Sequence, residues 1–210
     1  MSKPARRILV TGFEPFGGDD FNPSGTIARS LHGSCLPGGV FIHGVTLPVS
    51  GPEAWSKLSR VIRQVRPHWI IATGVSGRAE VSLESTAWNE DDFRIPDLAG
   101  RQPIRLSILA RGPAQMETGI DLTAWLTDDC SLRLPIRRSS DPGRYVCNHL
   151  YYRLLHLTRQ TAHCAYRRTL FLHLPGTPEM RRGPADVRFF HPLEDLRKVV
   201  LTILAGIAQS

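Results

Sequence analysis

The amino-acid sequence predicts an α/β fold: a three-layer domain built on a mainly parallel sheet. Three observations carry this. Short apolar runs alternate along the chain with longer stretches of helical period. The clearest of these runs end at glycine or proline or are unbroken by polar residues, as in strands buried on both faces. No linker, repeat or low-complexity tract divides residues 1–210, so a single domain is expected over the whole span. A hydrophobic fraction of 41% against 21% charged suits a packed core and excludes a disordered chain.

The elements follow in order. Arg7-Ile8-Leu9-Val10-Thr11, closing at Gly12, reads as a buried strand. After a loop rich in Gly, Pro and Asp, Asn22 before Pro23 supplies an N-cap and a first helical residue, with Ile27, Ala28 and Leu31 turned inward. Val40 to Val49 reads as a second strand. Ser50-Gly51-Pro52-Glu53 has capping-box spacing and opens a helix with Trp55, Leu58, Val61, Ile62 and Val65 on one face, stopped by Arg66-Pro67. Trp69-Ile70-Ile71-Ala72 is a third strand. Val81 to Asn89 alternates as a strand does, Asp91 to Pro103 reads as loop, and Gln115 to Leu126 as a helix. Leu132 to Arg138 is strand-like, with Pro135 confining it to an edge or bulge. Ser140-Asp141-Pro142-Gly143 signals a helix start, and helical period runs from Tyr145 to Thr161. Leu170 to Leu174 is a strand ending at Pro175, and Pro192 to Ala208 a last amphipathic helix.

Charge and cysteine usage narrow the function. Lys and Arg number 26 against 19 acidic residues, a net charge of +7. Only Lys3, Lys57 and Lys198 are lysines, and the arginines are scattered in pairs such as Arg137-Arg138 and Arg181-Arg182, not gathered into one arm. Nucleic acid is therefore not an expected partner. No apolar run approaches the roughly 20 residues of a spanning helix, and the opening segment does not read as an export signal, so neither a membrane nor secretion is expected. Cys35, Cys130, Cys147 and Cys164 form no CxxC pair, which favours free thiols in a reducing cytoplasm and no metal site. Phosphate-loop, dinucleotide and zinc-protease motifs are missing, and nothing calls for a cofactor.

In open parallel sheets, ligands bind beyond the carboxyl ends of the strands. Three reactive groups fall there or beside it. Cys147 sits in the first turn of a helix, where unpaired N–H groups favour a thiolate, and it borders the apolar stripe, so it faces the sheet. Its alternative role is a core thiol. His173 ends a strand just before Pro175-Gly176 and is a candidate base, whereas His149 lies two residues from Cys147 and points elsewhere. His156 and His163, further along, read as surface or packing residues. Glu84 lies in the mostly apolar and hydroxyl stretch Val81 to Ala87, where a buried carboxylate needs a partner and could orient a histidine. An exposed strand carboxylate is the ordinary alternative.

Four segments, taken together, resemble a known family. Thr11-Gly12-Phe13-Glu14-Pro15-Phe16-Gly17-Gly18 with Asn22-Pro23-Ser24 is similar to the amino-terminal signature of the pyroglutamyl peptidase I family of cysteine peptidases. Glu84 with Ala87, Asn89 and Arg94-Ile95-Pro96-Asp97 resembles its glutamate segment. Tyr145-Val146-Cys147-Asn148-His149-Leu150-Tyr151-Tyr152 resembles its nucleophile segment, and His173-Leu174-Pro175 with Pro178-Glu179 its histidine segment. The resemblance implies a single-domain α/β/α sandwich with a twisted sheet, no cofactor, a cytoplasmic setting and a homo-oligomer, in the family a homotetramer. It implies removal of an amino-terminal pyroglutamyl residue from peptides, with Cys147, His173 and Glu84 as catalytic triad. It further implies substrate contacts from Phe13, Phe16, Tyr145, Val146 and Arg94.

The chain departs from the family pattern around the expected mouth of the site. Gly74-Val75-Ser76-Gly77-Arg78 is one residue shorter than the family segment. Ser85 stands where the family usually has arginine, Leu98-Ala99 where it has Asn-Glu, and Gly176 where it has tyrosine. Two alternatives stay open on the sequence: a related cysteine hydrolase of another small cyclic amide or acyl compound, and a non-catalytic homologue that binds an anion or RNA.

Overall fold

The computed structural model describes residues 6–126, 134–160, 168–183, 186 and 188–209. The strands are β1 (Arg7–Phe13), β2 (Cys35–Leu36), β3 (Val40–Leu47), β4 (Trp69–Val75), β5 (Val81–Glu84), β6 (Thr86–Trp88), β7 (Gln115–Glu117), β8 (Ile136–Ser139) and β9 (Arg168–Leu174). The helices are α1 (Pro23–Leu31), α2 (Gly51–Val65), α3 (Val146–Gln160) and α4 (Leu193–Gln209). Seven strands form one sheet in the order β2-β3-β1-β4-β9-β5-β8. The pairs β3–β1, β1–β4 and β4–β9 are parallel, while β5 runs antiparallel to β9 and carries β8 parallel on its far side. The sheet is thus mainly parallel, as alternation along the chain predicts.

Side-chain alternation sorts the core into two layers. Ile8, Val10, Ile71, Leu170 and Leu172 face α1 and α4 on one side. Leu9, Ile70, Ala72 and Phe171 face α2 and α3 on the other. Because successive residues of a strand point to opposite faces, strands this apolar have to be covered twice, and the helices cover them. Val199, Val200, Ile203 and Ile207 make the buried stripe of α4, and Ile27, Ala28 and Leu31 that of α1.

Helix starts divide into one that follows the sequence signal and one that does not. Asn22 caps α1, its Oδ1 accepting from Ser24 N at 3.1 Å, with Pro23 in the first turn. Ser50 holds the N-cap position of α2 but makes no side-chain cap bond, so the capping box expected from Ser50 and Glu53 is not formed. There Gly51 lies against the His149 ring: a Cβ on Gly51 would approach His149 Cγ to 2.9 Å. The start of α2 thus rests on this packing and on the backbone bond from Ala54 N to Ser50 O at 2.8 Å, with no side-chain cap. Its buried face is Ala54, Leu58 and Ile62.

Two further expectations are corrected. The helix expected over Gln115 to Leu126 is absent. Gln115–Glu117 pairs antiparallel with β6, and only a short 3-10 turn, Thr123–Trp125, follows. Met116 alone of β7 is buried, and Gly119 and Asp121 interrupt the period; Asp121 Oδ1 instead accepts from Thr123 N at 3.0 Å and starts the turn. The strand expected from Val81 to Asn89 is two strands, β5 and β6, in different sheets. Ser85 breaks it, because its N–H and hydroxyl both donate to Ser139 O of β8, at 2.6 and 2.8 Å. Lys3, Cys130, Leu132, Thr161, His163 and Cys164 lie outside the described residues. Among the described residues no helix is long and apolar enough to cross a membrane.

Candidate active site

Loops at the carboxyl ends of β1 and β4 meet the start of α3 around a cleft of about 1000 Å³. Phe13, Phe16, Arg94, Tyr145 and Val146 all line it, as does Cys147, so the sequence-chosen contacts converge on one place. Phe93 was not foreseen: its ring lies 4.5 Å from that of Tyr145, which in turn lies 5.7 Å from Phe16. Phe16 and Tyr145 make an aromatic wall suited to a small flat ligand, and the buried Phe93 backs it. Burial, then the negative charges near it at Asp97 and Cys147, push the Tyr145 phenol up to about 12, and it donates to Pro96 O at 3.0 Å. A second cleft of about 960 Å³, lined by Trp69, Trp125, Arg159 and Arg168 among others, lies at the opposite ends of β4 and β9 and contains none of the chosen groups.

Cys147 is the second residue of α3 and is half-buried. The first N–H groups of the helix have no carbonyl partner within it and stand at its positive end. The sulfur turns toward the sheet, over Gly74: a Cβ there would come within 2.7 Å of Cys147 Sγ. Glycine is therefore required at position 74 for the thiol to sit where it does. Gly74 is also the register partner of His173 on β9. Neighbouring strand positions thus bring thiol and imidazole to one place, close enough for the sulfur to act on the charge of the ring.

Glu84 is fully buried and lies diagonally across β5–β9 from His173, whose direct register partner is Ser82. Glu84 Oε1 meets His173 Nδ1 at 2.8 Å. That leaves Nε2 for the sulfur. Burial alone would lower the imidazole, but the charge and hydrogen bond of Cys147, then those of Glu84, outweigh it and hold His173 up at about 9. A thiol, an imidazole favouring its cation and a buried carboxylate are so arranged that a proton can pass from sulfur to ring.

Sequence reasoning missed Arg78. Its Nη1 lies 2.9 Å from Glu84 Oε1 and 3.0 Å from Ser139 Oγ. The signal was faint, since an arginine ending a Gly-containing loop has no periodic position to mark it. His149 behaves as its spacing from Cys147 predicts: it faces away and pairs with Asp91 Oδ2 at 2.7 Å. His156 sits at the half-exposed end of α3 beside Gln160. At the departure Gly176, the space beside the backbone is taken by Phe190, whose Cδ1 would stand 3.1 Å from an added Cβ.

Comparison with known proteins gives one answer. A family model described as pyroglutamyl peptidase matches residues 6–208. The pyrrolidone-carboxylate peptidase of Yersinia pestis is 38% identical over 175 residues, covering 83% of this chain and 80% of the relative. The crystal structure of pyroglutamyl peptidase I from Bacillus amyloliquefaciens superposes with a TM-score of 0.88 at 29% identity, over 98% of each chain. Pyrrolidone carboxyl peptidase from Thermococcus litoralis gives 0.86 at 28% identity, over 96% of this chain and 93% of that one.

Proposed function

The chain belongs to the pyroglutamyl peptidase family, and from that premise we propose that it removes amino-terminal pyroglutamate from peptides by means of Cys147, His173 and Glu84. The single observation that carries the assignment of roles is the placing of Cys147 Sγ over Gly74, the register partner of His173, whose Nδ1 meets the buried Glu84. Cys147 attacks the pyroglutamyl carbonyl as a thiolate. Its proton, resting on His173, passes to the departing amine, and an acyl-enzyme remains. Water then attacks the thioester while His173 takes up its proton, and pyroglutamate leaves. Glu84 fixes the ring through Nδ1 and stabilises its cation. The unpaired N–H groups at the start of α3 receive the developing oxyanion.

The cleft supports the substrate. A pyroglutamyl ring is flat, uncharged and without a free amine, and Phe13, Phe16, Tyr145 and Val146 offer it apolar faces. Arg94, exposed at the rim, is placed to help polarise the reacting carbonyl or meet the departing peptide. A cytoplasmic setting, which keeps the nucleophile reduced, belongs to the same proposal, as do a single domain over residues 1–210 and assembly into a homo-oligomer.

The test is release of a fluorescent amine from a pyroglutamyl amide by the purified protein under reducing conditions. Turnover is expected, with a fall of about a thousandfold or more in Cys147→Ala. A well-folded wild-type protein without turnover would sink the pyroglutamyl reading and move the substrate to another small cyclic amide.

A further inference from the structure

Glu84 is completely buried, and its negative charge needs a counter-charge that does not come and go with the proton on the imidazole. Arg78 is the cation in place. Its Nη1 donates to the same oxygen, Oε1, that meets His173 Nδ1, while Oε2 has no protein partner among the described residues. The guanidinium reaches further. Nη1 also donates to Ser139 Oγ at 3.0 Å, and Nη2 to Asp141 O at 2.6 Å. Ser139 ends β8 and Asp141 lies in the segment that opens α3. One side chain thus ties the carboxylate strand to the approach of the nucleophile helix.

The other groups around the carboxylate do not replace it. His173 faces it from β9, and Ser139 lies on β8. From α3 come Cys147, through the imidazole, and Tyr151, whose hydroxyl donates to Glu84 O at 2.7 Å and whose phenol burial holds protonated. Ser85, next in sequence, is spent on Ser139 O.

We propose that Arg78 is a positioning residue of this site, supplying the counter-charge to the buried Glu84, holding it aimed at His173 and tying it to the segment that opens α3. The proposal rests on the Cys147–His173–Glu84 reading. Without Arg78 the buried carboxylate loses its counter-charge and its aim, the imidazolium loses support, and the pair it makes with the sulfur is weakened.

The test uses Arg78→Gln and Arg78→Lys with two readouts. One is the pH profile of kcat/KM on a pyroglutamyl amide. The other is the pH dependence of Cys147 alkylation by iodoacetamide, in protein whose other three cysteines are changed to serine. In Arg78→Gln, the acid limb of both profiles is expected to rise by about one pH unit or more, with kcat at neutral pH down about tenfold and KM within about twofold. Arg78→Lys keeps the charge but not the planar fork, so its limb stays near wild type and its kcat falls between the two. Limbs that do not move in Arg78→Gln, even with a uniform loss of rate, overturn the proposal. Should that variant fail to fold, wild-type kcat in Arg78→Lys overturns it. A moved alkylation limb in a protein that never cleaves the pyroglutamyl amide upholds Arg78 and refutes the substrate instead.

Discussion

At His173, opposing influences meet on one ring. Burial works against the cation, while the sulfur of Cys147 and the carboxylate of Glu84 work for it and prevail, holding the group at about 9. Because that lies above the usual 6.5, the stability this group contributes is fully present below 6.5 and is lost as pH rises through about 9. Catalysis follows the same window, since the imidazolium must be there to protonate the leaving amine. The kcat/KM for a pyroglutamyl amide should therefore fall above about pH 9. In Glu84→Gln, which removes one supporting charge, the descending limb should move to lower pH. A limb unmoved by that change would show that another group titrates. These residues were within reach of the sequence because strand ends are where an α/β sheet exposes reactive side chains. Arg78 and Phe93 were not, because each acts across a loop on partners that only the folded chain brings near: Arg78 spans 61 positions to reach Ser139.

At the level of elements, local signals succeeded where the backbone itself used them. The cap at Asn22 is made, its Oδ1 accepting from Ser24 N and its amide donating to Glu14 O at 3.0 Å. The cap at Ser50 is not made, and Gly51 rests on His149 instead. Two substitutions should separate these cases. Asn22→Ala should cost about 1 kcal/mol in chemical denaturation, and Ser50→Ala less than about 0.5 kcal/mol. Equal losses would mean that Ser50 does cap its helix. The same contrast explains the failure over Gln115 to Leu126. A helical period was legible there, but the edge of β6 offers Gln115–Glu117 a ladder that a short isolated helix cannot match. Pairing with a distant strand leaves no mark within the segment itself. The parallel strands were legible for the opposite reason, since burial on both faces writes itself into composition.

The whole molecule appears in the mouth of the cleft, where the first and last loops of the fold are joined. Asp19, in the loop after β1, accepts from Arg182 Nε at 2.9 Å and pairs with Arg188 Nη1 at 3.6 Å. Arg182 also donates to Gly17 O. The loop that carries Phe16 is therefore fastened to a segment more than 160 positions away. The Asp19 side chain is 8% exposed, but those of Arg182 and Arg188 are 54% and 35% exposed, so solvent screens much of the attraction. Taken together, the two pairs are worth about 1 kcal/mol, or about fivefold in an equilibrium. That energy bears on where Phe16 stands and not on the triad, which is built on β5, β9 and α3. Asp19→Asn should accordingly raise KM for a pyroglutamyl amide about fivefold and leave kcat within about twofold. Added salt should raise the wild-type KM toward that of the variant while leaving the variant's KM nearly constant. If the variant's kcat falls while its KM holds, the latch acts on chemistry and not on the pocket, and the separation between a mouth held by surface charge and a triad held by the sheet does not stand.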